Sequence, residues 1–293
     1  MSKLNQLVAA FVVFMSVFPV LVQSQDNKYM NLQIDLQGDA HYSVYNFTDI
    51  KRPYNGIDGW SELKASYWLD TGSSLSPYLS IIPSITSESE FWWQKNFQVS
   101  AGMQFYPISI SIRYLRSIRL FALTALRSYY KKPEEVNPED KDIQIGVDYY
   151  YDNIFEKKSL IFAAWTNAGF RKTNFSLENY DAFLWTGNLK FGYKYAHKKS
   201  ILFSHATIEW TDVPKYKNRW WENFLRAGIG VQWYPKAYET NRFVSGLLRR
   251  FHLYIEVLHN VTWLGERPND NSQVEETDFR AGLVFSTSGF FRE

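Results

Sequence analysis

From Trp60 onward, apolar residues fall at every second position in segment after segment, the period of a strand rather than a helix. Phe97, Val99, Ala101, Met103 and Phe105 alternate with Gln98, Ser100, Gly102 and Gln104. Ile143, Ile145, Val147, Tyr149 and Tyr151 alternate with Gln144, Gly146 and Asp148, and Leu189, Phe191, Tyr193 and Tyr195 with Asn188, Lys190, Gly192 and Lys194. Phe279, Ala281, Leu283 and Phe285 repeat the pattern against Asp278, Arg280 and Gly282. Weaker alternation covers 60–70, 76–84, 118–130, 159–170, 200–211 and 250–263, and one further strand is expected within 28–48. About twelve strands, at about 22 residues per strand and connection, predict an all-β chain folded as an antiparallel transmembrane β-barrel.

A soluble β-sandwich also alternates, and two features argue against it. The polar faces carry full charges, with Glu62, Lys64, Asp148, Lys190, Lys194, Glu209, Arg226, Glu256 and Arg280 as candidates to line a lumen. The opposite faces are rich in Phe, Tyr and Trp, and aromatics recur at strand ends in matched pairs. Trp93 and Phe105 share the apolar phase of one strand, as do Trp221 and Trp233 of another. Each pair spans on the order of 30 Å of tilted strand along the membrane normal, the spacing of anchors at two lipid interfaces.

Composition narrows the class further. The chain has 45% hydrophobic and 21% charged residues, which places it with folded proteins. A formal charge of +2 argues against a nucleic-acid partner, and zero cysteine removes disulfides, thiolate metal sites and a cysteine nucleophile. Aromatics reach 18%, more than a soluble core needs. Residues 1–24 read as a secretory signal peptide, with Lys3 ahead of an apolar run from Leu7 to Val22 that Pro19 interrupts. Residues 25–293 then form one barrel domain in the cell outer membrane, reached by export and cleavage.

The chain also aligns with itself at an offset of 128, so that Trp92-Trp93 meets Trp220-Trp221 and Gly102 meets Gly230. Gln104-Phe105-Tyr106-Pro107 likewise meets Gln232-Trp233-Tyr234-Pro235, which suggests two duplicated halves of about six strands. Short connections near 70–74, 156–158 and 197–199 alternate with long polar ones near 131–141, 171–181, 212–219 and 265–275, as periplasmic turns alternate with outer loops. Segments 108–117 and 236–249 break that rule and read as short interfacial helices or irregular turns.

No motif carries catalysis. His252 and Glu256 share a strand face but stand about 13 Å apart along it, and Glu256 and His259 face opposite ways, as do Ser204 and His205. No Gly-x-Ser-x-Gly or His-Glu-x-x-His pattern occurs, so no enzyme, cofactor or metal site is expected; a barrel hydrolase assembled across strands is the least favoured alternative. Two readings of the inward charges remain. They form a salt-bridged filling that stiffens the wall, or they line a polar conduit. Loop aromatics Tyr54, Phe175 and Tyr180 are candidates to stack on sugars.

On these features the sequence resembles Gram-negative outer-membrane β-barrel proteins, with a final strand predicted from Thr277 to Phe291 followed by Arg292 and Glu293. Its Trp-rich hairpins are similar in style to the C-terminal barrel of the bacteriophage N4 adsorption protein A and to exopolysaccharide export porins. That resemblance implies a passive or export conduit, with saccharides as candidate solutes, set in outer-membrane lipid and working with a separate periplasmic partner. The alternative it leaves open is a plugged structural or receptor barrel, binding a phage or another partner through loops 131–141, 171–182 and 264–275.

Overall fold

A computed structural model describes residues 32–45, 54–69, 75–87, 95–107, 117–130, 140–154, 156–174, 180–196, 200–216, 223–235, 251–265 and 277–286. They form twelve strands in chain order: β1 (Leu32–Tyr45), β2 (Tyr54–Tyr67), β3 (Leu75–Thr86), β4 (Asn96–Phe105), β5 (Arg119–Tyr129), β6 (Asp140–Asp152), β7 (Leu160–Thr173), β8 (Tyr180–Ala196), β9 (Ser200–Asp212), β10 (Phe224–Pro235), β11 (His252–Trp263) and β12 (Thr277–Ser286). Each strand pairs antiparallel with the next, and β12 returns to β1 with Arg280 opposite Ser43 and Gly282 opposite His41, closing the barrel. Closure leaves no sheet edge with unpaired backbone groups, the condition for crossing a lipid bilayer with strands. Twelve strands at ordinary spacing and tilt enclose a backbone cylinder about 25 Å across.

Burial is inverted relative to a soluble protein. Ile229 is 71% exposed, Leu79 61% and Ile145 60%, whereas Ser66, Ser76 and Ser80, on the opposite face of their strands, are fully enclosed. Along β4 the enclosed positions are Asn96, Ser100 and Gln104, and the exposed ones are Phe97, Val99, Ala101, Met103 and Phe105. A sandwich would bury the second set. This pattern instead turns the apolar face toward lipid and the polar face toward the lumen.

Several boundaries differ from those read in the sequence. Arg171 and Thr173 belong to β7 rather than to a loop, because the Arg171 guanidinium bridges Asp142 of β6 and extends the pairing. Tyr54 and Tyr180 open β2 and β8, so they stand at strand ends and not within loops. The segments read as interfacial helices, apart from Ser117 at the entry to β5, lie outside the described residues, as do the signal peptide, Phe175 and the end of the last strand at Phe291.

Both described ends of the barrel chain, the start of β1 and the finish of β12, lie at one rim, the terminal rim, with the starts of the other odd-numbered strands and the finishes of the other even-numbered ones. The opposite ends of the strands form the other rim. β8, which precedes the very short link, finishes at the terminal rim, and so do β4 and β10, which precede the two long repeat-equivalent segments.

Candidate functional site: the barrel lumen

The register places one parity of each strand on the lumen wall. Asp35, Gln37 and Asp39 of β1 face Lys64, Glu62 and Trp60 of β2, and Arg119 of β5 faces Asp148 of β6. Farther round, Lys190 of β8 is opposite Thr207 of β9, Glu209 opposite Arg226 of β10, Gly230 opposite Glu256 of β11, and Glu256 opposite Arg280 of β12. Lys194 occupies the same parity of β8 beside Phe203.

From β8 to β12 these charges are knitted together across intervening strands. Lys190 Nζ meets Glu256 Oε1 at 3.0 Å although β9 and β10 lie between their strands. The Thr207 hydroxyl donates to the same Oε1 at 2.5 Å, and His205 Nδ1 lies 3.0 Å from that hydroxyl. Arg280 spans in the same way, donating to Glu209 of β9 at 3.0 Å and to Asp278 on its own strand at 2.6 Å. Arg226 stands 3.7 Å from Glu209 and 3.8 Å from Asp278. Glu256, Asp278 and Arg226 are all buried. A buried charge left alone would cost several kcal/mol, so each is held by an opposite charge, and together the pairs brace this half of the wall.

A second network occupies β1 to β7. Arg119 Nε donates to both carboxylate oxygens of Asp148, at 3.0 and 2.9 Å, and its Nη1 donates to Gln104 at 3.1 Å. Lys64 donates to the same Gln104 oxygen at 3.3 Å, lies 3.8 Å from Asp35, and sits over the Tyr78 ring at 5.5 Å. Glu62 accepts from Gln37 at 2.7 Å. Nearer the other rim, Arg171 pairs with fully buried Asp142 at 2.9 Å.

Lys194 does a different job from its neighbours. Its ammonium donates to the backbone carbonyls of Ile154, at 2.9 Å, and Glu156, both in the β6–β7 connection. That connection turns into the barrel, where Ile154 packs with Ile161, Ile201, Phe203 and Tyr234 in a dry cluster at the terminal rim. At the opposite rim Val213 of the β9–β10 connection packs on Ala182, and buried Asn223 ties that connection down by accepting from Val213 N at 2.8 Å.

Three lumen-facing aromatics stay open: Trp60 is 41% exposed, Trp165 40% and Tyr150 55%. Tyr150 is directly opposite Trp165 in the β6–β7 register, and Trp165 is opposite Asn188 of β8. In the sequence Trp60 marks only the start of the alternation and Tyr150 and Trp165 do not stand out, although parity is the signal that places all three on this face. Trp60 is two residues from Glu62, and Tyr150 two from Asp148, so each shares a charged face rather than the aromatic one.

Of the four aromatics singled out as interface anchors, Phe105 and Trp233 are exposed on the outer face at the terminal-rim ends of β4 and β10. Trp93 and Trp221 lie outside the described residues. The outer face also carries an edge-on pair of Trp185 and Trp210, with centroids 5.5 Å apart, toward the other rim.

Among the described residues no cluster of His, Asp and Glu could hold a metal. His205 and Glu256 do approach across the sheet, at 4.0 Å, but Thr207 lies between them as hydrogen-bond partner of both. His41 contacts Asp39 at 2.5 Å, and Tyr254 donates to the same carboxylate at 3.1 Å.

A closed, even-stranded antiparallel barrel with a lipid-facing apolar wall and a charge-paired lumen defines an outer-membrane β-barrel. No protein-family model matches the sequence, and neither does any curated protein. Among solved structures the chain is similar to the translocator domain of the autotransporter NalP from Neisseria meningitidis, with 10% identity, 96% of this chain and 97% of that one covered, and a TM-score of 0.38. An outer membrane channel from Pseudomonas putida matches at 9% identity over 89% of this chain and 96% of that one, with a TM-score of 0.41. The NanC porin matches at 11% over 86% and 99%, with a TM-score of 0.33.

Proposed function

We propose that this protein is a conduit of the outer membrane, passing polar solutes passively or as part of an export route. The observation that carries the reading is the lumen wall, on which Arg119 with Asp148, and Lys190 with Glu256, present compensated charges to the barrel interior. A wall of that kind hydrates a path without fixing a single counter-ion, and its selectivity rests on side-chain size and charge. Saccharides fit such a path as solutes. A signal peptide cleaved after residue 24 and a separate periplasmic partner complete this reading, as the sequence suggests.

Purified protein reconstituted in planar bilayers tests it. Stepwise single-channel conductance is the expected result, and a folded barrel without channel events at any voltage or salt concentration rules the conduit out.

A second reading, a plugged barrel acting through its outer loops on a phage or another partner, is favoured by one feature. The dry cluster of Ile154, Ile161, Ile201, Phe203 and Tyr234 fills part of the lumen at the terminal rim. Deleting 131–139 or 265–275 then abolishes partner binding while the barrel still shifts on gels with heating; intact binding counts against it.

A further inference from the structure

We propose that the lumen carries a binding strip for neutral saccharides running between Trp165 of β7 and Trp60 of β2, with pyranose rings stacking on the two indoles. This deepens the conduit reading and rests on it. A tryptophan inside a barrel ordinarily packs into the filling, as Phe203 and Tyr234 do here. Trp165 does not, because its neighbours on the lumen face are small or short. Ala163 and Asn167 flank it along β7, and Asn188 stands opposite on β8. Its remaining direct neighbour, Tyr150, is held by a 2.6 Å hydrogen bond from its hydroxyl to Asp152, so two aromatic faces stand side by side on the wall.

Trp60 is exposed for the same reason, between Asp39 of β1 and Ser84 of β3, and its strand lies five positions round the barrel from β7, nearly across the lumen. The two walls therefore present aromatic surface toward one path.

The surrounding polar groups select the ligand. Asp148 and Lys190 are diagonal neighbours of Trp165 in the register, within about 8 Å. Each is already neutralised, by Arg119 and Glu256 respectively, yet offers further donor or acceptor capacity. An ionic solute gains no unmatched charge here. A pyranose has an apolar face of axial C–H bonds for the rings and a rim of hydroxyls for the paired charges and for Asn167 and Asn188. That combination matches the strip.

The test is titration of the detergent-solubilised protein with maltohexaose, cellohexaose and isomaltohexaose, read by tryptophan fluorescence and by calorimetry. In parallel, the same sugars are added to a bilayer recording. At least one sugar is expected to bind and to interrupt the current. Trp165→Ala and Trp60→Ala should each weaken that binding tenfold or more, Trp165→Phe should retain most of it, and Trp185→Ala on the lipid face should leave it unchanged. Binding by none of the three sugars overturns the strip, as does binding indifferent to both alanine variants. A conducting barrel that binds no sugar leaves the conduit standing, whereas a non-conducting barrel that binds through Trp165 leaves the strip standing and removes the conduit.

Discussion

Lys190 and Glu256 belong to strands three positions apart in the barrel, yet their charged groups meet at 3.0 Å inside it. The contact closes a chord across the wall that neighbouring strand pairs alone do not supply. Removing one partner leaves a buried charge facing an apolar substitute, and the expected loss for Lys190→Met or Glu256→Met is about 3–5 kcal/mol of unfolding free energy. The double variant removes both charges and should recover a large part of that loss. Denaturant unfolding in micelles, followed by tryptophan fluorescence, checks this. A loss in the double variant equal to the sum of the two single losses would mean that the pair adds nothing beyond its separate side chains.

Gly230 and Gly102, which meet in the sequence repeat, do equivalent work on β10 and β4, six strands apart. A Cβ on Gly230 would stand 2.7 Å from His205 Cε1, and one on Gly102 2.9 Å from Tyr78 Cζ. In each case a lumen ring from the preceding strand lies over a glycine that makes room for it. Gly230→Ala should cost about 1–3 kcal/mol, as overpacking does. Adding His205→Ala should restore only part of it, since the new Cβ also sits 2.8 Å from the Ile255 carbonyl. Unfolding midpoints of the single and double variants measure this coupling.

Much of the architecture was legible in the alternation because lipid imposes a period-two constraint on every strand. Phe97 to Phe105 and Leu189 to Tyr195 could hardly be read otherwise. The lumen was less legible, for a physical reason. Parity tells which wall a residue faces, but not whether its side chain pairs across the barrel, reaches a connection or stays open. Lys194 and Lys190 look alike in sequence, yet one holds the carbonyls of the β6–β7 connection and the other braces β11. Trp60, Tyr150 and Trp165 share a residue type with the lipid-facing girdle and differ from it only in phase.

Lys194 should therefore behave as a latch on the β6–β7 connection. Replacing it with Met keeps the apolar stem beside Phe203 but leaves the Ile154 carbonyl without its charged donor. Hydrogen bonds to charged groups contribute about 1.5–3 kcal/mol, and a local loss of that size is expected. Hydrogen exchange at 153–159 should speed up roughly tenfold or more, while the amides of β2 and β3 keep their protection. Uniform deprotection of all strands would show Lys194 to be a general stabiliser instead.

The two faces of a single strand should respond differently to the same substitution. Ile145 lies on the lipid wall of β6, 60% exposed, while its neighbour Gln144 faces the lumen and donates to Asp142 at 2.5 Å. An arginine at a lipid-facing position near mid-bilayer costs about 2–4 kcal/mol, because no water or partner reaches the guanidinium there. Ile145→Arg should lower stability by that amount and reduce folding yield in bilayers. Gln144→Arg keeps Asp142 as a neighbour, although it also faces Arg171 across the β6–β7 register, and should cost less than Ile145→Arg, because lumen substitutions alter selectivity more than folding. Side-by-side folding titrations into lipid vesicles, scored by heat-dependent mobility on gels, distinguish them. If arginine is tolerated equally at both positions, the apolar face of β6 does not lie against lipid.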